Sequence, residues 1–172
     1  MRSILDRIYT IAGALAGLLI LGITLIIFAQ IVGRWFGIVI PSTDDFSGFM
    51  LAASSFMGLA YTLREGGHIR VSLVIQRIPV RFRKYQEFLV LVIAVLLALY
   101  MSWYLWHMVY ESYIFEEVSV GYIPIPLWIP QIPVALGCTL FNIVLIEELA
   151  NLLLGSTPSY QLHEDEISLE EF

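Results

Sequence analysis

Four long stretches without Asp, Glu, Lys or Arg dominate this chain and constrain its fold more than anything else in it. They cover residues 8–33, 46–63, 88–110 and 118–146, and His107 is the one ionisable imidazole within them. Bilayer hydrocarbon is about 30 Å thick, so a helix that crosses it needs about 20 mostly apolar residues. The fourth stretch opens with Pro124, Pro126, Pro130 and Pro133. Proline is tolerated in a first helical turn but costs about 3 kcal/mol in a helix interior. The last helix is therefore placed from near Leu127 to near Leu154. The pattern predicts an all-α integral membrane protein with four transmembrane helices at about 8–35, 46–64, 88–110 and 127–154. Composition agrees: 59% of the 172 residues are hydrophobic and 14% charged, with a mean hydropathy of +0.82, against about 45–50% and 25% in soluble domains. The first stretch is also too long for the about 7–15-residue apolar core of a signal peptide, so it reads as an anchor.

Lys and Arg set orientation. Arg2 and Arg7 precede the first span, and Arg64, Arg70, Arg77, Arg81, Arg83 and Lys84 lie between spans two and three. The opposite side holds only Arg34. The positive-inside rule then places both termini in the cytoplasm. Trp35, Trp103, Trp106 and Trp128 fall towards the periplasmic ends, where amphipathic rings favour the headgroup level. The basic loop contains the apolar run 71–75, closed by Pro79, and reads as a short amphipathic segment lying in the interface near anionic headgroups. The chain thus divides into a membrane domain over 1–155 and an acidic tail over 156–172 that is expected to be disordered. A net charge of −6, with no basic stripe facing solvent, excludes a nucleic-acid partner; membrane lipid is the expected surroundings.

No nucleophile elbow, phosphate loop, CxxC or HExxH occurs. The single Cys138 lies in an apolar run. His68, His107 and His163 fall in separate regions, so paired haem ligands are not expected, and neither enzyme chemistry nor a cofactor is predicted. His107 and Glu111 share a helix face. They could begin a metal site or proton relay, but the plainer reading is a hydrogen-bonded pair near headgroup level. Arg34 closes span one, and Asp44 and Asp45 open span two after a turn through Pro41. An ion pair between Arg34 and either aspartate would pin that hairpin and lower the cost of the charge. Gly13 with Gly17, Gly33 with Gly37, Gly48 with Ala52, and Ser54 with Gly58 put small residues at helical spacing, which lets backbones approach closely in lipid. Glu147 and Glu148 end span four; being adjacent and near water, they are not expected to form an ion site. Transporters that bind substrate themselves combine broken helices in paired halves, and four spans with an almost charge-free interior offer no such frame.

Four segments in this order resemble the DctQ-like small membrane subunit of tripartite ATP-independent periplasmic (TRAP) transporters. They are Arg34-Trp-Phe-Gly37, then Asp44-Asp45, then Gly58-Leu-Ala-Tyr-Thr-Leu-Arg-Glu-Gly-Gly-His-Ile-Arg-Val71, and Ile132-Pro-Val-Ala-Leu-Gly137. The resemblance extends to about residue 155. Its most specific part contains Arg64, Gly67, His68 and Arg70. Asp stands at 44 and 45 where the family usually has Glu, Trp35 where Tyr is common, and Ser72 where Asp is frequent.

The resemblance implies a scaffold subunit without a substrate site of its own. Its partners would be a large multi-span permease, which carries sodium and substrate, and a periplasmic substrate-binding protein that delivers an organic acid. Gly13, Gly17, Gly48 and Ala52 are then candidates for the permease interface. Glu111, Glu116 and Glu117, with Asp44 and Asp45, are candidates for seating the binding protein. The alternative from another class is a membrane-anchor subunit of a respiratory complex, which would require haem or quinone ligands. A third is a small autonomous channel.

Overall fold

The computed structural model describes residues 2–65 and 80–154. These residues form four α-helices: α1 (Arg2–Trp35), α2 (Thr43–Arg64), α3 (Val80–Ile114) and α4 (Trp128–Leu153). Each is long and apolar enough to cross a membrane, so the chain is an all-α, multi-pass membrane protein. Among the described residues the one strand-like pairing is an isolated bridge between Val118 and Pro126. Gly67, His68 and Arg70, the interfacial segment expected around them, and the acidic tail lie outside the described residues.

Helix ends depart from the expected spans where polar residues continue the helix beyond its apolar part. α2 starts at Thr43, with Asp44 and Asp45 in its first turn, where carboxylates complement the positive end of the helix dipole. α3 begins at Val80 rather than near 88 and runs to Ile114. Arg, Lys, Gln and Glu are good helix formers, so the end of the apolar run does not end the helix. In α4, Pro133 lies inside the helix, one turn beyond the position at which proline is best tolerated.

The extensive interfaces join α1 to α2, α2 to α4, and α4 to α3. The helices therefore stand in a row, α1–α2–α4–α3, instead of closing into a square bundle. α4 is the most buried span and α3 the least. We call the end where α1 begins and α4 finishes basal, and the opposite end distal. In lipid, close approach and polar contacts hold helices together better than hydrophobicity does, and the α2–α4 contact shows this. A Cβ added to Gly137 of α4 would lie 2.6 Å from the backbone nitrogen of Met57 on α2, so the two helices touch backbone to backbone. Ala60, Ala135 and Cys138 are fully buried nearby. α3 is tied to α4 by side-chain bonds: Ser102 Oγ donates to Cys138 Sγ at 3.3 Å, Trp106 Nε1 to Thr139 Oγ1 at 3.0 Å, and Asn142 Nδ2 to the Val95 carbonyl at 3.3 Å.

Candidate functional site

Two polar constructions stand out, one at each end of the row. The basal one centres on Arg64, in the last turn of α2, where a cation complements the negative end of the helix dipole. Its guanidinium lies 2.6 Å from Asp6 Oδ1 on α1, 3.6 Å from Glu147 Oε2 and 3.9 Å from Glu148 Oε1 on α4. Tyr9 of α1 donates its hydroxyl hydrogen to Glu147 Oε2 at 3.0 Å, and its ring centroid is 6.0 Å from the Arg64 guanidinium carbon. The Arg64 side chain is 17% exposed and that of Glu148 1%. One planar, multi-donor cation thus gathers carboxylates from two other helices, a task suited to Arg and not to the single ammonium of Lys. This cluster is also where α1 reaches past α2 to touch α4.

In the sequence Arg64 reads only as a loop charge and motif residue, Asp6 is left aside, and Glu147 and Glu148 read as adjacent acids near water. The structure corrects that last expectation: Glu148 is buried against Arg64. A signal was present. Antiparallel helices of known ends bring residues 6, 64 and 147–148 to one level, and only Arg64 among them is a cation.

The distal construction joins the two loops of that end. Ser42, in the left-handed region at φ 57°, accepts a hydrogen bond at its Oγ from the Ile123 backbone N–H at 3.0 Å. Asp45 and Ser42 lie so close to Gly121 that a Cβ there would stand 3.0 Å from Asp45 Cγ and 3.2 Å from Ser42 Oγ. The 115–127 loop is held internally. Ser112 Oγ donates to Glu117 Oε2 at 2.7 Å and accepts from Gln131 Nε2 at 3.0 Å, and Leu127 N donates to the Glu117 carbonyl at 2.9 Å. Glu117 is therefore engaged within the loop. Glu116 beside it has φ 51° and an exposed side chain. It borders an open groove of about 580 Å³ walled by Tyr113, Ile114, Val118, Pro126 and Trp128. The two loops and the adjoining end of α1 expose an apolar crest in which Trp35, Val39, Val120 and Tyr122 are each at least 79% exposed.

The expected ion pair between Arg34 and Asp44 or Asp45 is absent among the described residues. Arg34 is exposed, because the chain turns back at Gly37 (φ 71°) after the Gly33 carbonyl has capped α1. Ser42, not Arg34, pins the distal loops. The small residues also separate into two sets. Gly13 faces Tyr61 of α2, with an added Cβ 2.7 Å from its ring, so it serves contact within the chain and not an outer interface. Gly17 and Gly48 face open space, and Ala52 is exposed. His107 and Glu111 do meet, Nδ1 to Oε2 at 3.3 Å, with both side chains about half exposed. Among the described residues no three His, Cys, Asp or Glu side chains are grouped to hold a metal ion.

This geometry holds helices and loops in place. The family model described as tripartite ATP-independent periplasmic transporters, DctQ component, matches residues 23–155. Among curated proteins none matches the chain. The matched region takes in the end of α1, all of α2 and α3, and all of α4, and so includes every residue of both polar constructions except Asp6 and Tyr9. The chain belongs to the DctQ family, the small membrane component of tripartite ATP-independent periplasmic transporters.

Proposed function

We propose that this chain is a non-catalytic scaffold of a secondary transporter in the inner membrane of a bacterium or archaeon, with both termini in the cytoplasm. Its partners on this reading are a large permease, which imports an organic acid driven by a sodium gradient, and a periplasmic binding protein that delivers the substrate. The basal end then faces the cytoplasm and the distal end the periplasm, as the distribution of Lys and Arg requires.

Family membership carries the proposal, and the open face of α2 supports it. Gly48 and Ala52 point away from the row, and Gly17 of α1 looks onto empty space. Small residues at helical spacing leave room for the close approach of a foreign helix. At the distal end, Glu116 and Asp44 present exposed carboxylates beside the apolar crest, a combination that suits a partner with an apolar patch and basic surroundings.

The test is affinity purification of the chain from the membranes of its native cell in mild detergent. A large multi-span permease should be recovered in stoichiometric amount. Recovery of the chain alone, or with haem-bearing respiratory subunits, would defeat the reading.

A further inference from the structure

The outer face of α3 carries polar side chains at a depth where lipid does not tolerate them. Depth is fixed by helix register. Ser102 of α3 meets Cys138 of α4, and Gly137 beside it rests on Phe56 and Met57 of α2. From that level α2 climbs to Asp44 over about 18 Å, whereas α3 climbs to His107 over about 8 Å and to Glu111 over about 13 Å. The charged ends of α2, at Asp44 and Arg64, are about 30 Å apart, the thickness of the hydrocarbon layer. His107 therefore stands about 10 Å and Glu111 about 5 Å inside the level of Asp44. That is deeper than the headgroup position expected from their place near the end of a span.

These two residues share a face with Leu97, Tyr100, Tyr104 and Ile114, at alternating spacings of three and four. All six are exposed, and α3 buries its opposite face, including Leu91, Ala98, Val109 and Ser112, against α4. The rings of Tyr100 and Tyr104 touch at a tilt of 47°, with centroids 4.5 Å apart. The His107–Glu111 contact is the only polar contact either side chain makes among the described residues. With imidazole Nδ1 3.3 Å from Oε2, the other carboxylate oxygen of Glu111 has no hydrogen-bond partner among the described residues. Ionisable side chains at such depth face a protein interior or a water-filled cavity, not acyl chains.

We infer that the Tyr100–Tyr104–His107–Glu111 face of α3 is a second contact surface, covered by a transmembrane helix of the permease that presents a hydrogen-bond donor, Arg or Lys, to Glu111. A second copy of this chain fits poorly, because parallel packing of two α3 helices would set one Glu111 carboxylate against the other. This inference rests on the chain's being a transporter subunit, and it adds a contact on the far edge of the row from Gly17.

Photo-crosslinking in native membranes tests it. Benzoylphenylalanine replaces Tyr104 on the proposed surface or, as a control, Leu99 on the flank of the same helix. Position 104 should give an adduct with the mass of this chain plus the permease, and position 99 should not. Glu111→Leu should abolish that adduct, and Glu111→Gln, which keeps an acceptor oxygen, should retain it. Adducts only to lipid, or to a second copy of this chain, overturn the α3 contact while co-purification of the permease leaves the functional reading standing. If the unmodified chain recovers no permease, the functional reading falls and this inference falls with it.

Discussion

Arg64 shows how one side chain does work that its neighbours in sequence do not reveal. Its charge is tolerable at the basal edge because Asp6, Glu147 and Glu148 surround it, and it in turn helps to hold their charges there. Removing one partner of a buried pair leaves uncompensated charge, at a cost of about 3–5 kcal/mol. Arg64→Ala should therefore lower the melting temperature of the purified chain sharply, and Arg64→Lys should restore only part of it, since an ammonium cannot span three carboxylates. Asp6→Asn should matter far less, because that side chain is 48% exposed and water screens it. Equal melting temperatures for the native chain and Arg64→Ala, measured by intrinsic fluorescence in detergent, would contradict this account of the cluster. The converging partners are hard to read from sequence because they come from three helices, and Asp6 and Arg64 alone are 58 positions apart. Which way Glu148 faces depends on the rotation of α4, and no local pattern states that.

At the scale of the helices, much is legible and the losses have definite causes. The number and order of spans are set by apolar length alone, which is why four spans are expected and four occur among the described residues. Their ends are less legible: α3 extends eight residues beyond the expected start, because helical propensity outlasts hydrophobicity. Small residues at helical spacing announce close contact but not its partner. Gly13 and Gly17 sit one turn apart, yet Gly13 meets Tyr61 and Gly17 meets nothing among the described residues. Two substitutions separate these roles. Gly137→Ala forces a methyl group against the α2 backbone, and overfilling a tight contact costs about 1–3 kcal/mol, so the isolated chain should melt at lower temperature. Gly17→Ala adds a methyl group in open space and should leave the isolated chain as stable or slightly more so, while reducing the amount of permease recovered with it. A Gly17→Ala chain that recovers the permease in full would take Gly17 out of the interface.

The row formed by the described helices has two broad faces, two edges and a hydrogen-bonded distal rim, an arrangement suited to holding a larger neighbour. The rim is stapled where Ser42 accepts from Ile123 and Ser112 binds Glu117, which ties the two distal loops together and the second of them to α3. Glu116 and Glu117 look equivalent in the sequence; the structure distinguishes them, since Glu117 holds the loop and Glu116 faces outward. Their charge reversals should differ accordingly. Exposed rim charges act mainly on the rate of encounter, by steering, and little on the steps after docking. Glu116→Lys should raise the binding-protein concentration needed for half-maximal uptake in reconstituted vesicles and leave the maximal rate intact. The defect should shrink as salt rises and the Debye length falls from about 10 Å at 0.1 M towards about 3 Å at 1 M. Glu117→Lys should instead lower uptake at every concentration and every salt, because it releases Ser112 and loosens the loop. Matching concentration and salt profiles for the two variants would mean that the rim does not divide its work between them, and a Glu116→Lys complex with unaltered uptake would remove Glu116 from the docking surface.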